Sequence, residues 1–405
     1  MHIKWKKKFK PSLVLERISS VRTVNPEGGP SAYGFELENY LPVLQSMLEF
    51  PNAAEDLDTN SLVWIGLNKV KDQLTPDSFL RTINEELSKR LATKENVYLF
   101  LTSISIDNQD IPRKLTIDDV EISFLAGDYP SRFKSRIELL RAHDSPVTPE
   151  PRNYCRLIAK VKAKSPTAAV SKALRAIDLQ RALWCLMGNP RIQIVFGDTG
   201  LAPINVVRLG SLHTLHLSDG NPAFDGFWSE PGFKETKIFR LNKPNVVQSN
   251  SQWTLRQIRL SKYGGCLSTA LLRFVRALDE SDANTAFLRL WGALESLSTS
   301  GGGNNDSVVS RCSALFRDYD FHRQVLEHLR EYRNASVHAG EESDNARIYC
   351  YQLQLYFVNL MWFHLRSAKF FRSLDEAKSF LDLPMDKEKL QRQLQLIQKA
   401  QKFIA

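Results

Sequence analysis

Leu290-Trp291-Gly292-Ala293-Leu294-Glu295-Ser296-Leu297 is the stretch on which the fold turns. With Ala283 and Phe287 before it, its large apolar residues recur every three or four positions, the signature of one buried helical face. The same spacing continues on both sides. Upstream, Leu267, Leu271, Phe274, Val275 and Leu278 form a second such face, separated from the first by the polar turn at residues 279–282. Downstream, Ser300-Gly301-Gly302-Gly303-Asn304-Asn305-Asp306 reads as a loop. Val308, Val309, Cys312, Leu315 and Phe316 then predict a third helix, and Phe321, Val325, Leu329 and Tyr332 a fourth. A fifth, over residues 344–366, is apolar nearly all round and should be the central helix. Ser373-Leu374-Asp375-Glu376 has the form of a capping box for a short helix through Phe380. Residues 386–405 make a last amphipathic helix carrying Leu390, Leu394, Ile397 and Phe403. The C-terminal part is thus expected to be an all-α bundle.

Further upstream the pattern changes. Residues 242–253 are polar and contain Pro244, which suggests a domain boundary. Before it, helical and strand-like segments mix. Residues 62–67, Leu-Val-Trp-Ile-Gly-Leu, read as a buried strand. Thr75-Pro76 opens a helix through Phe79, Ile83 and Leu87. Strands are predicted at residues 97–101, 119–124, 155–161, 192–196, 204–209 and 212–217. A helix starts at Ser165-Pro166 and stops at Gly188-Asn189-Pro190. Asn25-Pro26-Glu27-Gly28-Gly29-Pro30, the connector Ser145-Pro146-Val147-Thr148-Pro149-Glu150-Pro151 and the region of Pro222, Trp228 and Pro231 read as loops. The expected fold class is therefore α+β: a mixed α/β domain over residues 1–245, a helical bundle over 246–385, and a final amphipathic helix over 386–405. The first region shows no repeat, phosphate loop or catalytic signature, so a sensing or regulatory role is the expectation for it.

A chain of 405 residues has ample length for a core, and its net charge of +9 with a pI near 9.2 favours polyanionic partners. The basic start, Lys4, Lys6, Lys7, Lys8 and Lys10, reads as a solvated tail or as an RNA contact, and no signal peptide follows it. The five cysteines are widely spaced with no C-x-x-C pair, which argues against a disulfide framework or zinc site. Cys266, Cys312 and Cys350 fall on apolar helical faces and are expected to be buried. No stretch has the length and apolarity of a membrane span, so a cytoplasmic protein with no membrane partner is expected.

Chemistry concentrates in Glu331-Tyr332-Arg333-Asn334-Ala335-Ser336-Val337-His338. Arg is a permanent cation that grips phosphate in a fork, and His is the side chain best placed to move protons near neutral pH. Five residues apart on a continuous helix, Arg333 and His338 would diverge by about 140°, whereas Asn334 and His338 would share a face. Either the helix ends between Arg333 and His338, or two copies of the chain complete one site. Glu295 is a candidate partner for Arg311 or Arg333, and Tyr332 reads as a core residue. No metal site is expected: His213 and His216 sit three apart on a predicted strand, His322 and His328 lack helical ligand spacing, and His364 lies on the buried helix.

Over roughly residues 263–384 the chain resembles the HEPN superfamily, and within it the Apea-like HEPN domains. Trp291-Gly292-Ala293-Leu294-Glu295-Ser296-Leu297 is similar to that family's Trp-x-Ala-Leu-Glu-x-Leu helix. A polar loop and a helix with Arg311 follow, and Arg333-Asn334 with His338 matches the Arg-polar-x(3)-His pattern. Residues 373–382 resemble the short acidic closing helix. Many members place Gly directly after the His; here Ala339 stands between His338 and Gly340. The resemblance implies a metal-independent endoribonuclease acting on RNA, needing no cofactor, and serving as a toxin or anti-phage effector. Arg333, His338 and Asn334 would be its catalytic residues, with Glu295, Arg311 and Tyr332 in support. It also implies a homodimer through the bundle, and an antitoxin or trigger molecule as a further partner. A non-catalytic module that senses RNA or a nucleotide is the alternative.

Overall fold

The computed structural model describes residues 2–23, 32–54, 57–70, 73–142, 149–192, 202–299 and 306–404. The predicted loop at 25–30, residues 300–305 of the loop predicted over 300–306, and residues 145–148 of the proline-rich connector lie outside them; Asp306, expected in that loop, begins a helix. The fold is α+β, with a sheet in the N-terminal part and helices in the C-terminal part.

Four helices gather at the start around a core of their own: α1 (Pro11–Ser20), α2 (Leu37–Ser46), α3 (Thr59–Lys69) and α4 (Pro76–Ala92). Two short antiparallel pairs accompany them, β1 (Lys4–Trp5) with β4 (Leu48–Glu49) and β2 (Arg22–Thr23) with β3 (Ala32–Tyr33). The basic start is therefore no loose tail. Trp5 stacks on Phe79 at 5.8 Å and the Ile3 amide donates to Asn84 at 2.7 Å, while the lysines stay exposed.

Helix α4 starts where the sequence predicts. Thr75 and Ser78 cap it reciprocally, each side chain accepting from the other's amide, and Pro76 fills the first turn. Residues 62–67 correct the sequence reading, for they lie inside α3 rather than in a strand. A short apolar run does not separate a buried strand from a buried helix. Here Asp58 decides it by accepting the Ser61 amide at 3.0 Å and opening a helix. Gly66 then lets α3 touch α4: a Cβ there would fall 2.4 Å from Ile83 Cγ2 and 2.8 Å from Phe79 Cε2.

The main sheet has the order β10-β9-β5-β8-β7-β6, antiparallel throughout. Its strands are β5 (Asn96–Ile104), β6 (Lys114–Ile117), β7 (Val120–Phe124), β8 (Cys155–Ala163), β9 (Leu212–Leu217) and β10 (Trp228–Ser229). Alternation along β5 sends Phe100 and Ile104 into the main core, and Leu99 and Leu101 to the other face, against Phe133 and Ile158. A short helix, α5 (Ser135–Ala142), follows Phe133.

Residues 204–209, predicted as a strand, form none; they meet the end of β5 through a bridge between Leu209 and Ile104 and through hydrogen bonds between Arg208 and Ser105. The ladder is replaced by side chains: Arg181 donates to the Val207 carbonyl, and Asn189 Oδ1 accepts the Val206 amide. Ile192 lies in no element, and residues 193–196 of the other predicted strand are outside the described residues. Trp228, expected in a loop, belongs to the edge strand β10.

The long helix α6 (Pro166–Gly188) joins the two parts, packing on the sheet with one side and on α7 (Pro244–Leu260) and α8 (Gly264–Leu278) with the other. The polar stretch 242–253, read as a boundary, is mostly α7. Its inward positions, Ser251, Thr254 and Ile258, hold two small polar residues, which hid the helical period. One core runs unbroken from Phe100 of β5 through α6 to Leu360 of α12 (Ala346–Arg366).

The remaining helices follow the sequence reading: α9 (Ala283–Ser298), α10 (Asp306–Ser313), α11 (Tyr319–Ala339), the central α12, α13 (Leu374–Leu381) and α14 (Lys387–Ile404). Cys312 and Cys350 are buried, and burial pushes both thiols up to about 12. Cys266, expected inside, is exposed. Among the described residues no helix is long and apolar enough to cross a membrane.

Candidate active site on helix α11

Helix α11 begins at Asp318, whose carboxylate accepts the Phe321 amide, and ends at Gly340, which takes the left-handed conformation (φ 68°). The backbone is helical through Arg333, Asn334 and His338 without a break. Of the two geometries open to the sequence, the one that ends the helix between Arg333 and His338 is thereby excluded. The two side chains leave the axis about 140° apart.

Arg333 leans toward α9. Its guanidinium stands 3.7 Å from Glu295, and the same Glu295 oxygen accepts the Trp291 indole N–H at 2.6 Å. Trp291 is buried, so it anchors the carboxylate from the core while Glu295 and Arg333 keep a partly open edge. The other end of the Arg333 fork donates to Asn334 Oδ1 at 3.3 Å. Asn334 shares its helical face with His338, whose ring is exposed and makes no hydrogen bond among the described residues. The result is two neighbouring groups: a carboxylate held by an indole and a guanidinium held by that carboxylate toward α9, and, on the face that Asn334 shares, a free imidazole one turn on.

The structure brings Glu295, Arg333 and Asn334 together, and leaves Arg311 apart. Arg311 forks onto Asp382 at 2.7 and 2.6 Å and donates to the Ser298 carbonyl, tying α10 to the end of α9 and to α13. Tyr332 is a packing residue, its ring 4.8 Å from Phe287 and 5.0 Å from Tyr349. Burial raises its hydroxyl pKa. That hydroxyl donates to Asn284, which also accepts the Ser343 amide at 3.0 Å. Asn284 thus pins the chain that leaves α11; its position in the first turn of α9 offered no sequence signal for this role.

Four of the other histidines have hydrogen-bond partners of their own. His213 is buried between Thr102 (2.7 Å) and Glu230 (3.1 Å), and His216 between the Gly220 carbonyl (3.0 Å) and Thr214 (2.9 Å). His322 meets the Tyr356 hydroxyl at 3.0 Å, and His364 the Tyr263 hydroxyl at 3.1 Å.

A second polar cluster went unseen in the sequence. Arg181, fully buried on α6, holds Asp279 with 2.8 Å contacts and Asp178 at 2.6 Å. Arg276 on α8 bridges Asp178 (2.6 Å) to Glu230 (2.7 Å), and Glu230 reaches His213 on β9. Burial disfavours the Glu230 charge, but the His213 hydrogen bond and the Arg276 charge prevail and hold its pKa at about 2. This chain of charges joins sheet, α6 and bundle. In the sequence Asp279 reads only as part of a polar turn, because Arg181 and Arg208 stand 98 and 71 residues away.

Comparison with protein-family models, with curated proteins and with solved structures finds no match for the chain.

Proposed function

We propose that the protein is an endoribonuclease of the HEPN type that cleaves RNA through the RNA's own 2′-hydroxyl. The observation that carries the reading is that one helix presents an exposed, unbonded His338 and, on a different face, an Arg333 whose guanidinium is braced by Glu295. The 2′-oxygen attacks phosphorus, the bond from phosphorus to the 5′-oxygen breaks, and the products are a 2′,3′-cyclic phosphate and a 5′-hydroxyl. One proton leaves the 2′-oxygen and one arrives at the 5′-oxygen; His338 serves as the base or the acid, a role worth roughly 10²–10⁴ in rate. Arg333 offsets the charge that grows on the phosphoryl oxygens, and Asn334 orients the ring or holds the RNA backbone. None of these roles calls for a metal. The unbroken α11 separates Arg333 from His338 within one chain, which favours a homodimer in which two copies of the helix face one cleft. The resemblance to HEPN domains supports that arrangement, and with it a role as a toxin or anti-phage effector released by a trigger or restrained by an antitoxin.

The test is incubation of the purified chain with total RNA and a chelator, beside Arg333→Ala and His338→Ala, with a growth-toxicity assay of all three. Cleavage or toxicity of the wild type that both variants lose is the expected result. Cleavage that survives in His338→Ala overturns the assignment. RNA binding with neither cleavage nor toxicity identifies a non-catalytic module.

A further inference from the structure

Helix α14 (Lys387–Ile404) is 18 residues long, and the described residues bury none of its side chains. It is nonetheless strongly two-sided. At 100° per residue, Leu390, Leu394, Leu396, Ile397, Phe403 and Ile404 all fall on one half of the wheel. Four of the five basic residues, Lys387, Arg392, Lys399 and Lys402, fall on the other; Lys389, beside Leu396, lies inside the apolar half together with Gln393, Ala400 and Gln401. Ile397 is 57% exposed and Phe403 81%, so the apolar half faces water along its whole length. Leu383 and Met385, just before the helix, are exposed as well. A free apolar helical face of this size calls for an occupant.

We propose that α14 docks the protein on an anionic lipid surface, lying in the interface plane with its apolar half immersed. Two features select that occupant. The first is charge: five basic side chains against the single Glu388 give the helix a positive field that complements anionic headgroups. The second is the width of the apolar half. A helix–helix seam between two copies would use the narrow stripe of Leu390, Leu394 and Ile397 and leave Leu396 and Phe403 bare. A bilayer interface takes the whole half, whereas RNA, though anionic, offers no apolar phase for it. The expectation of no membrane partner rested on spanning segments, which surface docking does not need.

The test uses the full chain in flotation with vesicles of phosphatidylcholine alone and of phosphatidylcholine mixed with phosphatidylserine. Binding to the mixed vesicles only, weakened by salt, is expected. Leu394→Glu with Ile397→Glu should abolish it, and Arg392→Gln with Lys399→Gln should weaken it about thirtyfold. All four positions are exposed, so circular dichroism should show the fold intact in both variants. No flotation, equal flotation with both vesicle types, or flotation that survives the Leu394→Glu, Ile397→Glu variant overturns the proposal. So does a soluble dimer that this variant splits, which would make a second copy the occupant. RNA cleavage by the wild type is read separately and decides nothing here.

Discussion

At the scale of single residues, the candidate site is a set of partly open side chains braced from behind. His338 touches nothing that the fold needs, so His338→Ala should leave the unfolding midpoint in denaturant unchanged, within about 0.5 kcal/mol, while activity is lost. Glu295 differs. It has no place in the bond-breaking step, but it sets where Arg333 stands. Glu295→Gln keeps an acceptor for the Trp291 indole and removes the charge facing Arg333. Single-turnover cleavage should fall roughly tenfold, the size of one charge-assisted contact, with the fold intact. Full activity in this variant would show that Arg333 is positioned by something else.

At the scale of elements, the contact between α12 and the start of α8 carries a pH-sensitive group. His364 is fully buried, and its pKa is drawn down to about 4 by burial first and by the charge of Lys378 second. Above pH ~6.5 neither the folded nor the unfolded chain protonates this ring. Between about 6.5 and 4 the unfolded chain binds a proton that the folded chain refuses, so stability falls with pH by about 3 kcal/mol in all. Below about 4 both states bind it and the loss is complete. Denaturant midpoints measured from pH 7 to 4 should show this slope, and His364→Phe should flatten it. Parallel curves for the two proteins would place the titration elsewhere. The same scale shows where element reading from sequence works. Helices α4, α6 and α9 and strands β5, β8 and β9 were legible because their caps and periods are local. Helices α3 and α7 were not, since one shows a short apolar run of either kind and the other turns serine and threonine inward.

For the whole molecule, the continuous core matters most. Sheet, α6 and bundle are joined by apolar packing and by the buried charges around Arg181. Removing Asp279 would strand Arg181 without its bidentate partner and take a contact from Arg208, so Asp279→Ala should cost about 3–5 kcal/mol in equilibrium unfolding. A loss below 1 kcal/mol would mean that Asp178 alone satisfies the arginine. The first four helices stand on their own core, separate from the rest. A chain starting at Lys94 should therefore stay folded and unfold cooperatively by calorimetry. One starting at Val246 should not, because it strips α6 and the sheet from α8. Any restraint of the site by the N-terminal part is thus better probed by substitutions in the charge network than by deletion at residue 245.

The α+β class, the succession of helices after residue 263 and the place of the central helix were legible from the sequence alone, as was the helical stretch that carries the candidate site. Each follows from spacing or capping within a few residues, where local physics decides. The packing of distant segments settles that Glu295 faces Arg333 and not Arg311, that α11 continues past His338, that the two parts share a core, and that α14 is left uncovered by the described residues. Those outcomes depend on which distant surfaces meet. A carboxylate chooses its arginine by the packing of helices, and an amphipathic face reveals that it lacks a partner only when the rest of the chain has folded without it.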